Sequence, residues 1–297
     1  MRKPHFELPL HFMLLPPVII VLIYSYGPIL GLVIAFQRYV PAKGISGSEW
    51  VGLDQFKYVF SLPDTMNVIM NTLSISVMKL AAGLVVPIAV ALMLNEVRKH
   101  VFKRLVQTFI YFPYFLSWVL LGGILIDILS PERGVVNAML GWVGVEPIYF
   151  LGDNGWFRYV LVITNEWKEF GFSTIVYLAA LTGINPTLYE AAVIDGANRW
   201  RQTWHVTLPG IRPIIVLLMT LALGQVLNAG FDQVLNLYSP QVYESGDIID
   251  TMVYRMGLLD AQFSVAAAVG LFKSAISLLL ISVAYYLAYR LVHYRIF

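Results

Sequence analysis

The sequence predicts an all-α integral membrane protein with six transmembrane helices, and its composition and long apolar stretches indicate this class. Of its 297 residues, 58% are hydrophobic and 13% are charged, whereas globular proteins contain about 25% charged residues. The mean hydropathy is +0.71. A helix needs about 20 apolar residues to cross ~30 Å of hydrocarbon. Six stretches meet this requirement, near residues 12–36, 68–94, 106–129, 159–182, 213–231 and 264–289.

Basic residues are distributed unevenly between the segments that join these spans. Six spans place both termini on one side of the membrane, and the short segments on that side hold Arg2, Lys3, Arg98, Lys99, Lys103, Arg104, Arg199, Arg201, Arg212, Arg290 and Arg295. The opposite loops are longer in total but hold only Arg38, Lys43, Lys57, Arg133, Arg158 and Arg255. Because short cytoplasmic segments carry an excess of Lys and Arg, both termini and the polar loop after the fourth span are predicted to be cytoplasmic.

That polar loop has the residues of two short helices joined by a glycine. Asn185 can cap the first helix, and Gly196 is suited to end it in a left-handed conformation. The second helix would carry large apolar residues at a spacing of four and close at a proline: Trp200, Trp204, Leu208 and Pro209. The loop is therefore predicted to form a helix–glycine–helix elbow.

The elbow carries a spaced motif. Glu190-Ala191-Ala192 is followed after three residues by Gly196, and after nine more by Val206, one further residue and Leu208-Pro209. This spacing resembles the cytoplasmic loop of ABC-importer permeases, with Val206 where isoleucine is commoner. The resemblance implies a coupling helix that docks into a cleft of a separate ATPase subunit through Glu190, Ala191, Ala192, Asp195, Gly196, Leu208 and Pro209. An ordinary helical hairpin between two spans is the alternative.

Further stretches resemble the branch of these permeases that imports large oligosaccharides and polysaccharides. They are residues 34–39, 50–56, 94–98, 112–119, 231–235 and 250–255. For Trp50 and Phe56 in the first outer loop, an aromatic belt at the membrane interface is an equal alternative. The resemblance implies three parts. Residues 1–66 hold a cytoplasmic tail, the first transmembrane helix and an outer loop, residues 67–290 form the transmembrane core with a coupling loop at 185–210, and residues 291–297 form a cytoplasmic tail.

The same resemblance implies partners and a location. The chain would be a type I importer subunit in a bacterial inner membrane. It would form half of a translocation path with a second permease subunit, usually a different chain. Two ATP-binding subunits would hold ATP and Mg, leaving no cofactor in this chain, and an extracytoplasmic solute-binding protein would deliver the glycan.

Polar residues inside the predicted spans are candidates for that path. A charge at the bilayer centre costs about 2.5–3.5 kcal/mol on insertion scales, so such residues tend to face a cavity. Sugars offer hydroxyls and weakly apolar ring faces, which suit amides, carboxylates and aromatic rings. The candidates are Asn165, Trp167, Lys168, Glu169, Phe170, Asn228, Phe231 and Lys273. Trp167 could stack on a sugar ring, and Lys168 or Lys273 could attract an acidic glycan. The alternative places the polar turn and Trp167 at the outer interface.

Several other classes of function are disfavoured. The chain has no cysteine, its five histidines lack ligand spacing, and no Gly-x-x-x-x-Gly-Lys-Ser/Thr loop is present to hold a nucleotide phosphate. The formal net charge of +2 with no long basic block gives no indication of nucleic-acid binding. A membrane enzyme acting on lipid-linked sugar remains an alternative, although Glu166 with Glu169 is the only close acidic pair it could use. A permease for another solute is a further alternative, whereas a secondary transporter is disfavoured because no internal repeat is visible.

Overall fold

The computed structural model describes residues 8–292 and is predominantly helical. In chain order, the helices are α1 (Leu8–Val21), α2 (Gly44–Gly47), α3 (Asp54–Ser61), α4 (Thr65–Glu96), α5 (His100–Tyr111), α6 (Trp118–Leu129), α7 (Val135–Trp142), α8 (Asn154–Thr182), α9 (Pro186–Ile194), α10 (Arg199–Gln202), α11 (Leu208–Leu223), α12 (Phe231–Leu237), α13 (Tyr243–Gly246), α14 (Ile249–Tyr254) and α15 (Phe263–Val292). The predicted cytoplasmic residues Arg2, Lys3 and Arg295, and the predicted tail beyond residue 292, lie outside the described residues.

The chain divides into two compact units, the first of which comprises the residues up to Thr65 together with Met252–Phe272. After α1, the chain continues through a π turn and a 3-10 segment that ends at Phe36. A ribbon of two short strands follows, β1 (Gln37–Arg38) and β2 (Glu49–Trp50), which pair antiparallel. These strands have two residues each, and the predominantly helical structure agrees with the all-α prediction. The aromatic residues of the first outer loop explain the ribbon in part, since the Trp50 ring stacks on Phe36 with centroids 5.7 Å apart.

The second unit comprises Met66–Thr251 and the chain from Lys273 onward. Its main core is a cluster of buried apolar side chains from α4, α6, α8 and α12, among them Ile75, Leu121, Phe157, Leu161 and Val234. A smaller cluster of Ala91, Tyr177, Leu181 and Ile211 joins α4, α8 and α11. These two clusters fix α8 as the helix around which the other elements of this unit pack.

Four helical stretches in the described residues are long and apolar enough to cross a membrane: Pro9–Phe36, Thr65–Glu96, Arg199–Leu223 and Phe263–Val283. A bent pair of helices would make a fifth. The predicted fourth span lies in α8, which has 29 residues. Its charged turn is near the middle, so every 18-residue stretch of α8 contains at least three charged residues, and α8 is therefore not among the four stretches above. The cost of these charges depends on what they face, which the tertiary structure determines.

The predicted third span, 106–129, is not one straight helix. The stretches His100–Phe115 and Trp118–Leu129 meet at an angle of 106°. Pro113 lies in the 3-10 turn before the bend, where its missing N–H cannot continue the helical hydrogen bonds. Ser117 then accepts a hydrogen bond from the backbone N–H of Leu120 and starts α6 as a new helix.

The predicted fifth span, 213–231, also needs correction. Its helix ends at Leu223, and Phe231 starts α12 after a non-helical segment, 224–230. Gly230 closes that segment with a positive φ of 94°, a conformation that glycine adopts without steric cost. The start was wrong as well. Pro209 lies in the first turn of α11 and does not end the preceding helix, because proline needs no N–H partner at that position.

Candidate functional site

The elbow begins with a capped helix and ends in a defined turn. The side-chain oxygen of Asn185 accepts a hydrogen bond from the backbone N–H of Thr187 at 3.1 Å. At the other end of α9, Gly196 has φ 76°. The N–H of Ala197 donates to the carbonyl of Ala192 at 2.8 Å, and the N–H of Gly196 donates to that of Val193 at 3.0 Å. These bonds form a Schellman motif, as the local sequence around Asn185 and Gly196 leads one to expect.

The second arm is stabilised by hydrogen bonds of its own and is joined to the first arm by one contact between side chains. Asn198 caps α10 by accepting from the N–H of Arg201 at 2.9 Å. The Gln202 amide donates to the carbonyl of Ala197 at 2.8 Å. The Tyr189 hydroxyl, on the first arm, lies 3.0 Å from the hydroxyl oxygen of Thr207. The angle between the arms is therefore held by contacts within the elbow itself.

The outer surface of the elbow combines exposed apolar and charged side chains. Ile194 is 86% exposed and Trp200 is 70% exposed. The motif residues Glu190, Ala191, Asp195, Gly196 and Pro209 are exposed, and Ala192 and Leu208 are half-buried. Exposed apolar side chains beside charged ones are typical of a protein–protein contact surface.

A polar cavity of about 330 Å³ lies between α4, α8, the end of α11 and the 224–230 segment; we refer to it as the central cavity. The lining residues of α4 recur at helical spacing: Ser76, Lys79, Leu80, Gly83 and Leu84. Those of α8 do the same: Asn165, Glu166, Glu169, Ser173 and Tyr177. Because residues three and four apart share one side of a helix, each helix turns a single face toward the cavity. That face is mostly polar on α8, and on α4 it combines Ser76 and Lys79 with Leu80 and Leu84.

A buried network holds the 224–230 segment against these helices. The Lys79 ammonium donates to the carbonyl of Ala229 at 2.6 Å and to the side-chain oxygen of Gln233. The amide of Gln233 donates to the carbonyl of Leu161 and to the hydroxyl oxygen of Thr164, both at 2.8 Å. Satisfied networks of this kind rigidify the groups that they connect.

A second cavity, of about 390 Å³, is lined by Gly224, Gln225, Leu227, Asn228, Phe231, Asp250, Lys273 and Ser277; we refer to it as the Lys273 cavity. Lys273 forms an ion pair with Asp250. Asn228 is exposed and lines both cavities. The break after α11 therefore contributes the same amide to two adjoining polar spaces.

The structure brings together some of the predicted path residues and separates others. Asn165, Glu169 and Asn228 line the central cavity, and Phe231 and Lys273 line the Lys273 cavity. Trp167, Lys168 and Phe170 line neither of these cavities.

Trp167 and Lys168, two of these three residues, have other surroundings. Trp167 is 41% exposed. Lys168 is buried, and its ammonium donates to the carbonyl of Tyr114 at 2.6 Å and lies 5.2 Å from the centre of that ring. Lys168 also forms an ion pair with Glu169, with an N–O distance of 3.9 Å.

Sequence reasoning left Lys79, Glu166 and Gln225 off the list of candidate path residues, although all three line the central cavity. Helical spacing could have found Glu166. Asn165, Glu169 and Ser173 recur at a spacing of four, and Glu166 lies on the same side of α8, whereas Trp167 and Lys168 point away from it. Lys79 carries a charge inside the predicted second span, so the rule that such charges tend to face a cavity could have found it. Gln225 had no comparable signal, because its position relative to α8 is set by the tertiary structure. Within residues 8–292, no group of three His, Cys, Asp or Glu is arranged to hold a metal ion.

Comparisons with known proteins agree with this architecture. The polygalacturonan/rhamnogalacturonan transport system permease protein YteP of Bacillus subtilis (strain 168) is 46% identical over 279 residues, covering 94% of this chain and 87% of that protein. A chain in the crystal structure of a bacterial ABC transporter involved in the import of the acidic polysaccharide alginate matches with a TM-score of 0.89 and 41% identity, covering 97% of each chain. A chain of the bacterial alginate ABC transporter in complex with an alginate pentasaccharide-bound periplasmic protein matches with a TM-score of 0.89, 40% identity and 96% coverage of each chain.

The match to a family model covers most of the chain and includes the elbow, the whole lining of the Lys273 cavity, and the lining of the central cavity except Ser76, Lys79 and Leu80. It extends over residues 83–296, and the model is described as the binding-protein-dependent transport system inner membrane component. The chain belongs to this family of inner-membrane transport components.

Proposed function

We propose that this chain is the membrane-spanning permease subunit of an ATP-driven ABC importer for an oligosaccharide or polysaccharide that a solute-binding protein delivers. The observation that carries the proposal is that this chain, as a member of the family, has both an exposed elbow and a cavity into which polar side chains point. The names of the relatives support the substrate class, since one is a polygalacturonan/rhamnogalacturonan permease and one belongs to an alginate importer.

The proposed complex contains a second permease subunit of a different chain, two ATP-binding subunits and an extracytoplasmic solute-binding protein. The solved alginate importer in complex with its periplasmic protein supports the last of these partners. ATP and Mg would bind to the ATP-binding subunits, and this chain would bind no cofactor. Six spans with both termini in the cytoplasm fit the distribution of basic residues. The bent α5–α6 pair and α8 would be the third and fourth spans.

The elbow would transmit ATP-driven movement to the membrane. Its exposed apolar residues would enter a cleft of the ATP-binding subunit, with Glu190 and Asp195 at the edge of the contact. Hydrogen bonds between its two arms, such as Tyr189 to Thr207 at 3.0 Å, would let it move as one body. A displacement of α9 would then reach α11, which continues from the second arm.

The two cavities would form this chain's share of the glycan path. Their amide and carboxyl groups can exchange hydrogen bonds with sugar hydroxyls, which is the usual way that a polar site fixes an uncharged ligand. In this arrangement, Asn165, Glu169 and Asn228 contact the glycan directly. Lys168, which packs on Tyr114, would position the start of α6.

Purification of the chain with its neighbours tests the proposal. We expect the ATP-binding subunits to copurify, and glycan-loaded solute-binding protein to stimulate ATP hydrolysis by the reconstituted complex. Glu190→Lys should abolish this stimulation because it reverses a charge on the docking surface. Glu146→Lys, at an exposed position in the loop between α7 and α8, is the matched control and should retain it. Full stimulation in Glu190→Lys would contradict the coupling role.

A further inference from the structure

Two buried polar atoms of the central cavity have no hydrogen-bond partner among the described residues: the Oε2 atom of Glu166 and the Oγ atom of Ser76. Glu166 is 8% exposed, Ser76 is 5% exposed, and both residues line the cavity. A buried polar atom without a hydrogen-bond partner destabilises the protein that holds it. The two atoms come from α8 and α4, so facing walls of one cavity present hydrogen-bonding capacity that the protein does not use.

The positive charge at this cavity is already engaged. Two of the three N–H groups of Lys79 donate to Ala229 and Gln233. The carboxyl groups of Glu166 and Glu169 lie on the same cavity wall, opposite this single ammonium.

The two lysines that could have attracted an acidic glycan are engaged as well. Lys168 donates to the carbonyl of Tyr114 and does not line the central cavity. Lys273 lines the other cavity, where it forms an ion pair with Asp250. Each lysine that lines one of these two cavities is therefore held by other groups of this chain.

We infer that the central cavity is a subsite for an uncharged, hydroxyl-bearing sugar unit and that it disfavours a unit that carries a carboxylate. The inference rests on the proposed function as a glycan importer. A sugar hydroxyl donates to Oε2 of Glu166 and exchanges a hydrogen bond with Oγ of Ser76. A uronate carboxylate has no hydrogen to donate to Oε2 of Glu166, and the Glu166 carboxyl group repels its charge at short range. Glu169 contributes less, because it forms an ion pair with Lys168. In this preference the chain differs from what the acidic substrate of the alginate importer leads one to expect.

Thiol labelling tests the charge preference without a known substrate. The chain has no cysteine, so Ser76→Cys adds a single thiol to it. The intact importer is treated with the neutral 2-hydroxyethyl and the anionic 2-sulfonatoethyl methanethiosulfonate, and the mass of this chain is followed. The rate of each reagent with the cysteine is divided by its rate with free 2-mercaptoethanol, which corrects for intrinsic reactivity. The corrected rate should be roughly tenfold lower for the anionic reagent than for the neutral one. Adding Glu166→Gln should remove most of that difference. Equal rates for the two reagents in Ser76→Cys would overturn the inference.

A second cysteine position and a pair of sugar probes complete the test. Ser173→Cys, on the α8 wall, should show the same selectivity and replaces Ser76→Cys if that variant does not assemble. Fully methyl-esterified trigalacturonide should slow labelling more than unesterified trigalacturonate, which has the same rings and length. Protection by the acid that equals or exceeds protection by the ester would overturn the subsite. So would the absence of protection by both probes. The proposed function is judged separately, since it fails only if the wild-type importer takes up no glycan.

Discussion

The elbow and the central cavity are both polar regions of an apolar chain, but they are built in opposite ways. In the elbow, backbone N–H and C=O groups bond to residues close by in the chain, as in the bond from the N–H of Ala197 to the carbonyl of Ala192. Many of its side chains point outward. The cavity takes its wall from helices far apart in the chain and turns its side chains inward, where Lys79 bonds to Ala229, 150 residues away. Polar residues that face outward are suited to another protein, and those that face inward are suited to a solute.

The largest expected effect concerns the side of the membrane on which the elbow lies. In the cysteine-free chain, Thr187→Cys at the exposed start of α9 should react with a membrane-impermeant maleimide only from the cytoplasm. Gly141→Cys in α7 should react only from outside. Gly141 is exposed and an added Cβ there meets no atom within 4 Å, so the substitution is mild. Labelling of both positions from the same side would break the six-span topology and the coupling role together.

The next effect tests whether the turn of the elbow matters for its shape alone. Gly196→Val should abolish stimulated ATP hydrolysis while leaving membrane insertion intact. An added Cβ at Gly196 meets no atom within 4 Å, so the penalty arises from the left-handed backbone, which costs an ordinary residue about 1–2 kcal/mol. Gly196→Asn is the matched control, because asparagine tolerates this conformation. Loss of stimulation in both variants to the same degree would show that the side chain, and not the backbone, is at fault.

These two regions also differ in how far the sequence predicts them. The caps at Asn185 and Gly196 were correct because a helix end depends on residues next to it in the chain. Pro209 was misplaced because a proline ends one helix or starts another according to the turn before it. The cavity could be predicted only in part. Periodicity along α8 separates Glu166 from Lys168, but no local pattern indicates that Lys79 faces Glu166 across the space between two helices. The bend before α6 and the break after α11 were missed because a span was assigned from apolar content over about 20 residues. A short interruption such as Pro113, or the segment from Gly224 to Gly230, does not lower that average enough to divide a span.

A smaller effect is expected where α8 meets the bent span. A Cβ on Gly171 would lie 2.2 Å from the backbone oxygen of Ile110, so Gly171→Ala must separate α8 from α5. Overpacking of this kind costs about 1–3 kcal/mol, and the thermal unfolding midpoint of the purified complex should fall. Gly123→Ala in α6, where a Cβ meets no atom within 4 Å, should leave the midpoint unchanged. An unchanged midpoint in Gly171→Ala would mean that this helix contact does not contribute to the stability of the cavity wall.

The smallest effect compares Asn228, which lines the two cavities, with Trp167, which lies on the face of α8 that points away from the central cavity. Asn228 lines both cavities, so Asn228→Ala should remove one hydrogen bond to the glycan. Such a bond contributes about 0.5–1.5 kcal/mol, which corresponds to a roughly two- to tenfold higher glycan concentration for half-maximal uptake. Trp167→Ala should change this concentration less than about twofold, because the indole lines neither of the two cavities and its 41% exposed surface is also typical of an interfacial anchor. Uptake is measured in proteoliposomes and divided by the amount of assembled complex, which separates a packing defect from a path defect. A larger effect of Trp167→Ala than of Asn228→Ala would place the limiting sugar contact on the outer face of α8, where an indole can stack on a sugar ring.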